Sequence, residues 1–269
     1  MFVVASLSAS GADLEQPLAP HAQLFLIGGA AESVLSDYVR FAGGEKAHVV
    51  IVPWASEMAG ESGRAVQTAL NKLGVAQASM LPRGAMALPD GTTGVYFTGG
   101  DQSRLVAAMK PELNAALSKF TGVIGGSSAG AMAASHDMIT GGMSTPHGHE
   151  HASGTAEASE LGTSHGLGLL PGVIVDTHVG QRGRDVRLVT ALSRISGAHC
   201  AVGLDEDTAI YIKDVSSRHA TVYGAGYVRV YERGPGFAVE WQAATGHAKP
   251  SVRGLVESMV RAGSDLVLP

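Results

Sequence analysis

The chain has 269 residues, of which 45% are hydrophobic and 16% charged, and its formal net charge is −5. This composition excludes an intrinsically disordered chain, because such chains contain few hydrophobic and many charged residues. The negative net charge and the lack of a long basic run argue against binding to nucleic acid or to anionic membranes. The single cysteine, Cys200, excludes an intramolecular disulfide, and its apolar neighbours predict a buried structural thiol.

Residues 1–22 are predicted to form a tail before one folded domain that spans 23–269. The first twelve residues are apolar and end in small residues, as the remnant of a secretory signal would, but they lack its positively charged start. A disordered tail is the other interpretation. No apolar stretch approaches the length needed to cross a membrane. We therefore expect a cytoplasmic location, with export if the tail is a signal remnant.

Short apolar runs alternate with amphipathic segments over most of the chain. Strands are predicted at 24–29, 48–53, 77–81, 94–100, 120–124, 172–176 and 201–205, and helices at 33–44, 63–74, 103–119 and 184–196. Near-continuous β-branched strands between helices are typical of a parallel sheet covered on both faces. Residues 208–242 alternate as antiparallel hairpins do. The sequence thus predicts an α/β fold with a mostly parallel sheet flanked by helices and with antiparallel strands near the C-terminus.

One polar segment, 141–170, interrupts this alternation and is rich in Gly, Ser, Thr and His. A long loop in a compact domain is usually functional, so we predict a flap over the active site. It contains His147, His149 and His151, and imidazoles bind transition metals. Alternate spacing in a glycine-rich loop is nevertheless a poor preorganised site. We therefore expect no functional metal and no cofactor.

Residues 125–132, GGSSAGAM, follow a predicted strand and lead into small helix-forming residues. Gly126 to Gly130 match G-x-S-x-G, the sharp turn that exposes a nucleophilic serine, here Ser128. The amides after it lie at a helix N-terminus, where they can stabilise an oxyanion. A glycine-rich turn with a serine cap is the alternative interpretation, and this short motif does not decide between the two.

Reactive residues follow four predicted strands, at 98–102, 127–128, 176–178 and 205–207. The carboxyl ends of parallel strands meet at one edge of a sheet, so these residues are expected to lie together. A serine hydrolase needs a nucleophile, a base, an orienting acid and oxyanion donors. The candidates are Ser128, His178, either Glu206 or Asp205, and the amides of Gly100 and Ala129.

Four motifs in this order, FTGGDQSRL, GGSSAGAM, DTHVGQRGRDVRL and VGLDEDTA, resemble the cyanophycinase family of serine peptidases. The related aspartyl dipeptidase (peptidase E) branch shares the serine turn, and the resemblance spans roughly residues 24–233. It implies a fold similar to class I glutamine amidotransferases, a homodimer and no metal. It also implies Ser128 as nucleophile, His178 as base and Glu206 as acid, with Asp205 as a fallback. The implied substrate is β-linked aspartyl-arginine in cyanophycin or its fragments.

The resemblance also bears on substrate binding. It places Gln102 and Asp176 in the substrate pocket and favours a carboxylate-binding role for Arg182, Arg184 and Arg187 over a solvated helix start paired with Asp185. Guanidinium groups bind carboxylates bidentately, which suits an aspartyl substrate.

The sequence departs from the family at one position of this pocket. Cyanophycinases usually have Asp-Gln-His where this chain has Asp176-Thr177-His178. A short Thr hydroxyl replaces a long amide at a position expected to contact substrate. We therefore expect a less strict preference for arginine.

Three other functions fit parts of the sequence. An α-aspartyl dipeptidase would use the same triad. A carboxylesterase of the α/β-hydrolase type would take Asp137 or Glu160 as its acid, but it leaves the TGGDQ motif and the arginines unexplained. A non-catalytic peptide-binding homologue would be expected to lack Ser128 or His178. The turn at 28–33 lacks G-x-G-x-x-G and is interpreted as structural only.

Overall fold

The computed structural model describes residues 22–141, 161–241 and 250–269. In the first half of the chain the strands are β1 (Gln23–Ile27), β2 (His48–Val52), β3 (Gln77–Met80), β4 (Gly94–Phe97) and β5 (Val123–Ser127). The helices between and after them are α1 (Leu35–Phe41), α2 (Ala59–Lys72), α3 (Gln102–Ala108), α4 (Pro111–Ser118) and α5 (Ala129–Met132). Residues 1–21 of the predicted tail and residues 142–160 of the predicted flap lie outside the described residues.

The second half begins with a short strand pair and continues with two helices and a run of strands. The elements are β6 (Asp137–Gly141), β7 (Gly162–His165), β8 (Val173–Thr177), α6 (Val179–Arg182), α7 (Asp185–Arg194), β9 (Cys200–Leu204), β10 (Thr208–Ile212), β11 (His219–Gly224), β12 (Tyr227–Trp241), β13 (Pro250–Arg261) and β14 (Asp265–Val267). Among the described residues, none of the helices is both long and apolar enough to span a bilayer.

The main sheet has eight strands in the order β14-β11-β10-β1-β5-β4-β2-β3. The five neighbouring strands β1, β5, β4, β2 and β3 are parallel to one another. Strands β10, β11 and β14 continue the sheet on the other side of β1, and each pairs antiparallel with its neighbours. Parallel strands need a helix-containing crossover, which accounts for the alternation of strands and helices up to residue 127. The predicted α/β fold, mostly parallel and with C-terminal antiparallel strands, is confirmed.

Strands β8 and β9 do not extend the main sheet. They pair with each other in parallel and form a second sheet with the antiparallel strands β12 and β13. The place beside β1 is taken by β10, with Leu24 opposite Ile212, so the main sheet offers no free edge there. The two sheets meet at the carboxyl end of β1, where the His178 amide donates a hydrogen bond of 2.9 Å to the Gly28 carbonyl.

The predicted helix over 103–119 is two helices in the structure. Lys110 has extended backbone angles (φ −84°, ψ 144°), and α4 begins at Pro111. Proline lacks an N–H and disfavours a helical conformation in the residue before it, which separates α3 from α4.

Tyr38 of α1 is fully buried on one face of the main sheet. A Cβ atom at Gly94 of β4 would lie 2.7 Å from its hydroxyl, and a Cβ at Gly125 of β5 would lie 2.5 Å from its ring. Two strand glycines therefore make room for one aromatic side chain. This contact fixes α1 against the strand that leads to Ser128.

Candidate active site

The serine turn lies between β5 and α5. Ser128 has φ 54° and ψ −118°, a conformation that costs free energy in any residue with a Cβ atom. Its amide donates to the carbonyl of Ile27 at 3.0 Å. A Cβ at Gly126 would lie 2.4 Å from the Gly130 carbonyl carbon, and a Cβ at Gly130 would lie 2.4 Å from the Phe97 oxygen. Both glycines of the motif are therefore required by close backbone approach.

Ser128, His178 and Glu206 form one chain of hydrogen bonds. His178 Nε2 lies 2.8 Å from Ser128 Oγ, and His178 Nδ1 lies 2.6 Å from Glu206 Oε1. The imidazole is 10% exposed, whereas the Glu206 carboxylate is partly open to solvent. Nucleophile, base and orienting acid thus lie within hydrogen-bond distance of one another, as nucleophilic catalysis requires.

Asp205, the fallback acid, has other partners. Its carboxylate accepts from the Gly180 amide at 2.8 Å, from the Tyr227 amide at 3.1 Å and from Arg229 Nη1 at 2.6 Å. These contacts join the end of β9 to α6 and β12. The structure therefore places Glu206, and not Asp205, beside the imidazole.

The turn after β1 supports the imidazole, a role that the sequence did not reveal. Gly29 has φ +114°, and a Cβ atom there would lie 2.1 Å from His178 Cε1. The Gly29 carbonyl also accepts from the Asp207 amide at 2.7 Å, beside Glu206. The available signal was a Gly-Gly pair at the end of a strand neighbouring the serine turn, so the interpretation of 28–33 as structural only was incomplete.

The loop of Gly99 and Gly100 passes close to the serine. A Cβ at Gly99 would lie 3.4 Å from Ser128 Cβ, and Gly100 (φ +138°) leaves no room for one because the Ala55 oxygen would be 2.3 Å away. The amides of Gly100 and Ala129 donate no hydrogen bond to any residue in the described ranges. An oxyanion hole needs such free donors beside the nucleophile, so both residues stay predicted oxyanion donors.

Burial lowers the pKa of His178 below its ordinary value of 6.5. The hydrogen bond to Glu206 opposes this shift, and the positive charges of Arg182 and Arg184 add to it. The net direction is downward, so His178 is neutral at neutral pH and its Nε2 is able to accept a proton from Ser128.

Asp176 and Arg187 form a buried ion pair. Arg187 Nε and Nη2 donate to the two carboxylate oxygens at 2.6 and 2.5 Å, and the side chains are 0% and 4% exposed. The predicted direct contact of these residues with substrate stays a prediction. Burial and mutual pairing give both a positioning role between β8 and α7.

Arg184 and Thr177 lie beside this ion pair. Arg184 Nη1 donates to the Thr177 carbonyl at 2.9 Å, and burial, reinforced by the charge of Arg187, lowers the pKa of Arg184 to about 10. Thr177 is fully buried, and among the described residues its hydroxyl has no partner. The expected contact of Thr177 with substrate likewise stays a prediction, although its side chain is buried in this structure.

Arg182 and Gln102 complete the predicted pocket residues. Arg182 is partly exposed at the end of α6; its amide donates to the His178 carbonyl at 2.9 Å, but its guanidinium has no hydrogen bond or ion pair with the described part of the chain, while its charge acts on His178. Gln102 is buried, and its Nε2 donates to the Ile139 carbonyl of β6 at 2.5 Å. Asp185, the alternative partner of the arginines, instead accepts from the Tyr231 hydroxyl at 2.5 Å.

A family model matches this geometry and most of the chain. Residues 24–219 match the model described as peptidase family S51. The chain belongs to peptidase family S51. It is thus a hydrolase, a serine-type peptidase that acts on a peptide substrate.

Proteins named cyanophycinase are among the relatives of this S51 peptidase. The one from Trichormus variabilis is 32% identical over 232 residues, which cover 77% of this chain and 74% of the relative. The one from Geminocystis herdmanii is 29% identical, with 78% of this chain and 80% of the relative covered.

Two solved structures share the fold. A peptidase from an acI-B1 Actinobacterium has a TM-score of 0.59 at 17% identity, with 92% of this chain and 97% of that chain covered. A putative peptidase E protein from Listeria monocytogenes EGD-e has a TM-score of 0.50 at 15% identity, with 77% and 100% covered. At these identities the likeness concerns the fold alone.

Gly29→Ala is expected to slow the reaction of Ser128 with a fluorophosphonate probe by about 100-fold, because the new methyl group would displace the His178 ring by an ångström or more. Gly74→Ala is the matched control, since Gly74 also has a positive φ of +79° but no atom within 4 Å of the added Cβ. That control should lose only about 1–2 kcal/mol of stability. Equal probe reactivity in the two variants would contradict a supporting role for Gly29.

The rate of probe labelling is expected to fall on the acid side with a midpoint below pH 6.5, because only neutral His178 accepts the Ser128 proton and its pKa is lowered. Arg182→Gln removes a charge that lowers this pKa, so its midpoint should move upward. Arg194→Gln, an exposed arginine at the end of α7, is the control and should leave the midpoint unchanged. If the Arg182→Gln variant has the same midpoint as the parent, the charge of Arg182 does not act on His178.

Proposed function

We propose that this S51 peptidase is an exopeptidase that hydrolyses β-aspartyl isopeptide bonds, with β-Asp-Arg or related dipeptides as substrates. Where such dipeptides are instead the released products, the bond cleaved is the neighbouring α-peptide bond. The observation that carries the proposal is the hydrogen-bonded chain of Ser128, His178 and Glu206, beside which lies the guanidinium of Arg182, unpaired among the described residues. The relatives named cyanophycinase support the substrate class.

In the proposed mechanism, Ser128 Oγ attacks the isopeptide carbonyl while His178 Nε2 takes the hydroxyl proton. Glu206 holds the imidazole through Nδ1 and stabilises its charged form. The amides of Gly100 and Ala129 stabilise the oxyanion, and each such donor contributes about 3–4 kcal/mol to the barrier reduction in comparable enzymes. His178 then protonates the leaving amine, and a water molecule hydrolyses the acyl-enzyme by the same route.

Charge around the site favours an acidic substrate. Arg184 and Arg187 share the Asp176 carboxylate, whereas the Arg182 guanidinium has no ion pair with the described residues. The uncompensated positive charge beside His178 suits the free carboxylate of a β-aspartyl residue. Arg182 is the exposed member of this group, and we assign it the direct contact.

The competing functions have less support. In a carboxylesterase, the acid would precede the histidine in the chain, but Asp137 contacts His136 and His165 instead of His178, and Glu160 lies outside the described residues. A non-catalytic homologue is not supported, because the serine and the histidine are present and hydrogen-bonded. An α-aspartyl dipeptidase uses the same triad, so the side-by-side hydrolysis of β-Asp-Arg and α-Asp dipeptides distinguishes it.

We also propose that the protein is a homodimer and that its preference for arginine is looser than that of the family. The edge strand β13 exposes apolar side chains, among them Val256 and Met259, at 46% and 53%. The Thr177 hydroxyl is buried and has no partner among the described residues, so Thr177 would affect arginine preference through the packing of the pocket wall. A cytoplasmic location stays a prediction.

Ser128→Ala should lower the hydrolysis of β-Asp-Arg by about 10⁶-fold, because the members of a triad act as a unit, while the thermal unfolding midpoint stays unchanged. Ser127→Ala is the matched control one residue earlier and should stay largely active, because only the central serine of the turn projects into the site. Turnover of the Ser128 variant at the parent rate would refute the mechanism.

Arg182 and Arg187 should differ in the kind of defect they cause. Arg182→Ala should raise KM for β-Asp-Arg about 10–100-fold through the loss of a charged hydrogen bond, with probe labelling in mildly alkaline buffer and stability unchanged. Arg187→Ala should instead lower the free energy of unfolding by about 3–5 kcal/mol, because it leaves the Asp176 carboxylate buried without its partner. Thermal denaturation and steady-state kinetics on both variants test the distinction, and identical profiles would argue against it.

A further inference from the structure

A cluster of three metal-ligating side chains lies at the base of the β6–β7 pair, apart from the catalytic triad. His136, Asp137 and His165 each offer a ligand atom, and these atoms lie within 4.8 Å of one another. One carboxylate oxygen of Asp137 lies 3.0 Å from His136 Nδ1, and the other lies 3.1 Å from His165 Nδ1. The two imidazole centroids are 5.3 Å apart.

We propose that His136, Asp137 and His165 bind a Zn²⁺ ion. Two imidazoles and one carboxylate, with water in a fourth position, form a donor set that zinc accepts in proteins. Bonds of about 2.0–2.1 Å in a tetrahedron place neighbouring ligand atoms about 3.3–3.4 Å apart. The observed spacings of 3.0 and 3.1 Å run to different oxygens of the Asp137 carboxylate, and the three ligand atoms lie within 4.8 Å of one another, so binding requires side-chain shifts of up to about 1.5 Å.

The backbone holds the three ligands in place. Asp137 is directly opposite His165 in the antiparallel register, so both side chains lie on one face of the pair. His136 precedes the strand in a bend, and its carbonyl accepts from the Gly166 amide at 2.8 Å. A Cβ at Gly166 would lie 2.2 Å from the Ser135 oxygen, so this close approach depends on the glycine. Chain geometry therefore reduces the ordering cost of binding.

The site is open to solvent and is attached to the substrate-binding segments. The side chains of His136 and His165 are 54% and 81% exposed, which allows an ion to enter and exchange. In the same strand pair, the Ile139 carbonyl accepts a hydrogen bond from Gln102 Nε2 at 2.5 Å. Just before the pair, the Ser135 hydroxyl accepts one from the Val175 amide of β8 at 3.0 Å. Bound zinc would thus stiffen a strand pair that contacts two parts of the proposed pocket.

The test uses the full chain, freed of metal by a chelator and titrated with Zn²⁺ by calorimetry and with Co²⁺ by visible absorption. Because His147, His149 and His151 would bind these ions independently, the background is a variant with all three changed to alanine. We expect this background to bind one Zn²⁺ per chain, to give a tetrahedral or five-coordinate Co²⁺ spectrum and to unfold at a higher temperature with zinc than without.

His165→Ala and Asp137→Asn, on opposite strands of the pair, should each weaken zinc binding at least about tenfold. His219→Ala, an exposed strand histidine elsewhere, is the control and should bind zinc as the background does. Metal-free unfolding curves that match the background show that each variant is folded. The proposal is overturned if the background binds no zinc, if both site variants bind as tightly as the control, or if binding disappears with His178→Ala instead.

Discussion

The site depends on three consecutive backbone carbonyls at the end of β1. The Ile27 carbonyl accepts from the Ser128 amide at 3.0 Å, the Gly28 carbonyl from the His178 amide at 2.9 Å, and the Gly29 carbonyl from the Asp207 amide at 2.7 Å, next to Glu206. Each predicted triad member, or its chain neighbour, is thereby fixed to the same short segment, although the three lie far apart in sequence. Both Ser128 and His178 have positive φ angles, so such bonds are needed to hold their strained backbones.

The buried ion pair of Asp176 and Arg187 stabilises the same region from the other side. Asp176 lies two residues before His178 on β8, and Arg187 lies on α7, which packs against the second sheet. A buried charge pair adds little net stability, but it is costly to break and specific in geometry. Its effect is therefore to set the position of α7, and with it the positions of Arg182 and Arg184, relative to the imidazole.

Much of the fold was predictable because its signals are local. The β-branched strands, the glycines of the serine turn and the order of the four motifs are readable without knowing any pairing. The second sheet was not predictable, because the sequence does not show that β10 occupies the edge of β1. The break at Pro111 was readable in principle, but the apolar pattern on both sides of it hid the boundary.

Within the candidate site, residue identities were easier to predict than their roles. Ser128, His178 and Glu206 each follow the end of a predicted strand and lie within a recognisable motif, so their positions could be predicted from local sequence. The burial of Asp176, Thr177 and Arg187 depends on the packing of α7 against β8 and β9, which no spacing rule gives. The His136, Asp137 and His165 cluster depends on the register of β6 and β7, which places Asp137 opposite His165. These two residues lie far apart in the sequence, on either side of a long loop, so no local pattern brings them together.

The proposed role of Arg182 has an electrostatic consequence for catalysis. In the free enzyme, burial and the charges of Arg182 and Arg184 lower the pKa of His178, so the imidazole is neutral but a weaker base. A substrate carboxylate that pairs with Arg182 cancels part of that positive charge, and the pKa of His178 then rises. The base becomes stronger only when an acidic substrate is bound. An uncharged peptide would leave the imidazole weakly basic, so the arginines would select the substrate through proton transfer as well as through binding.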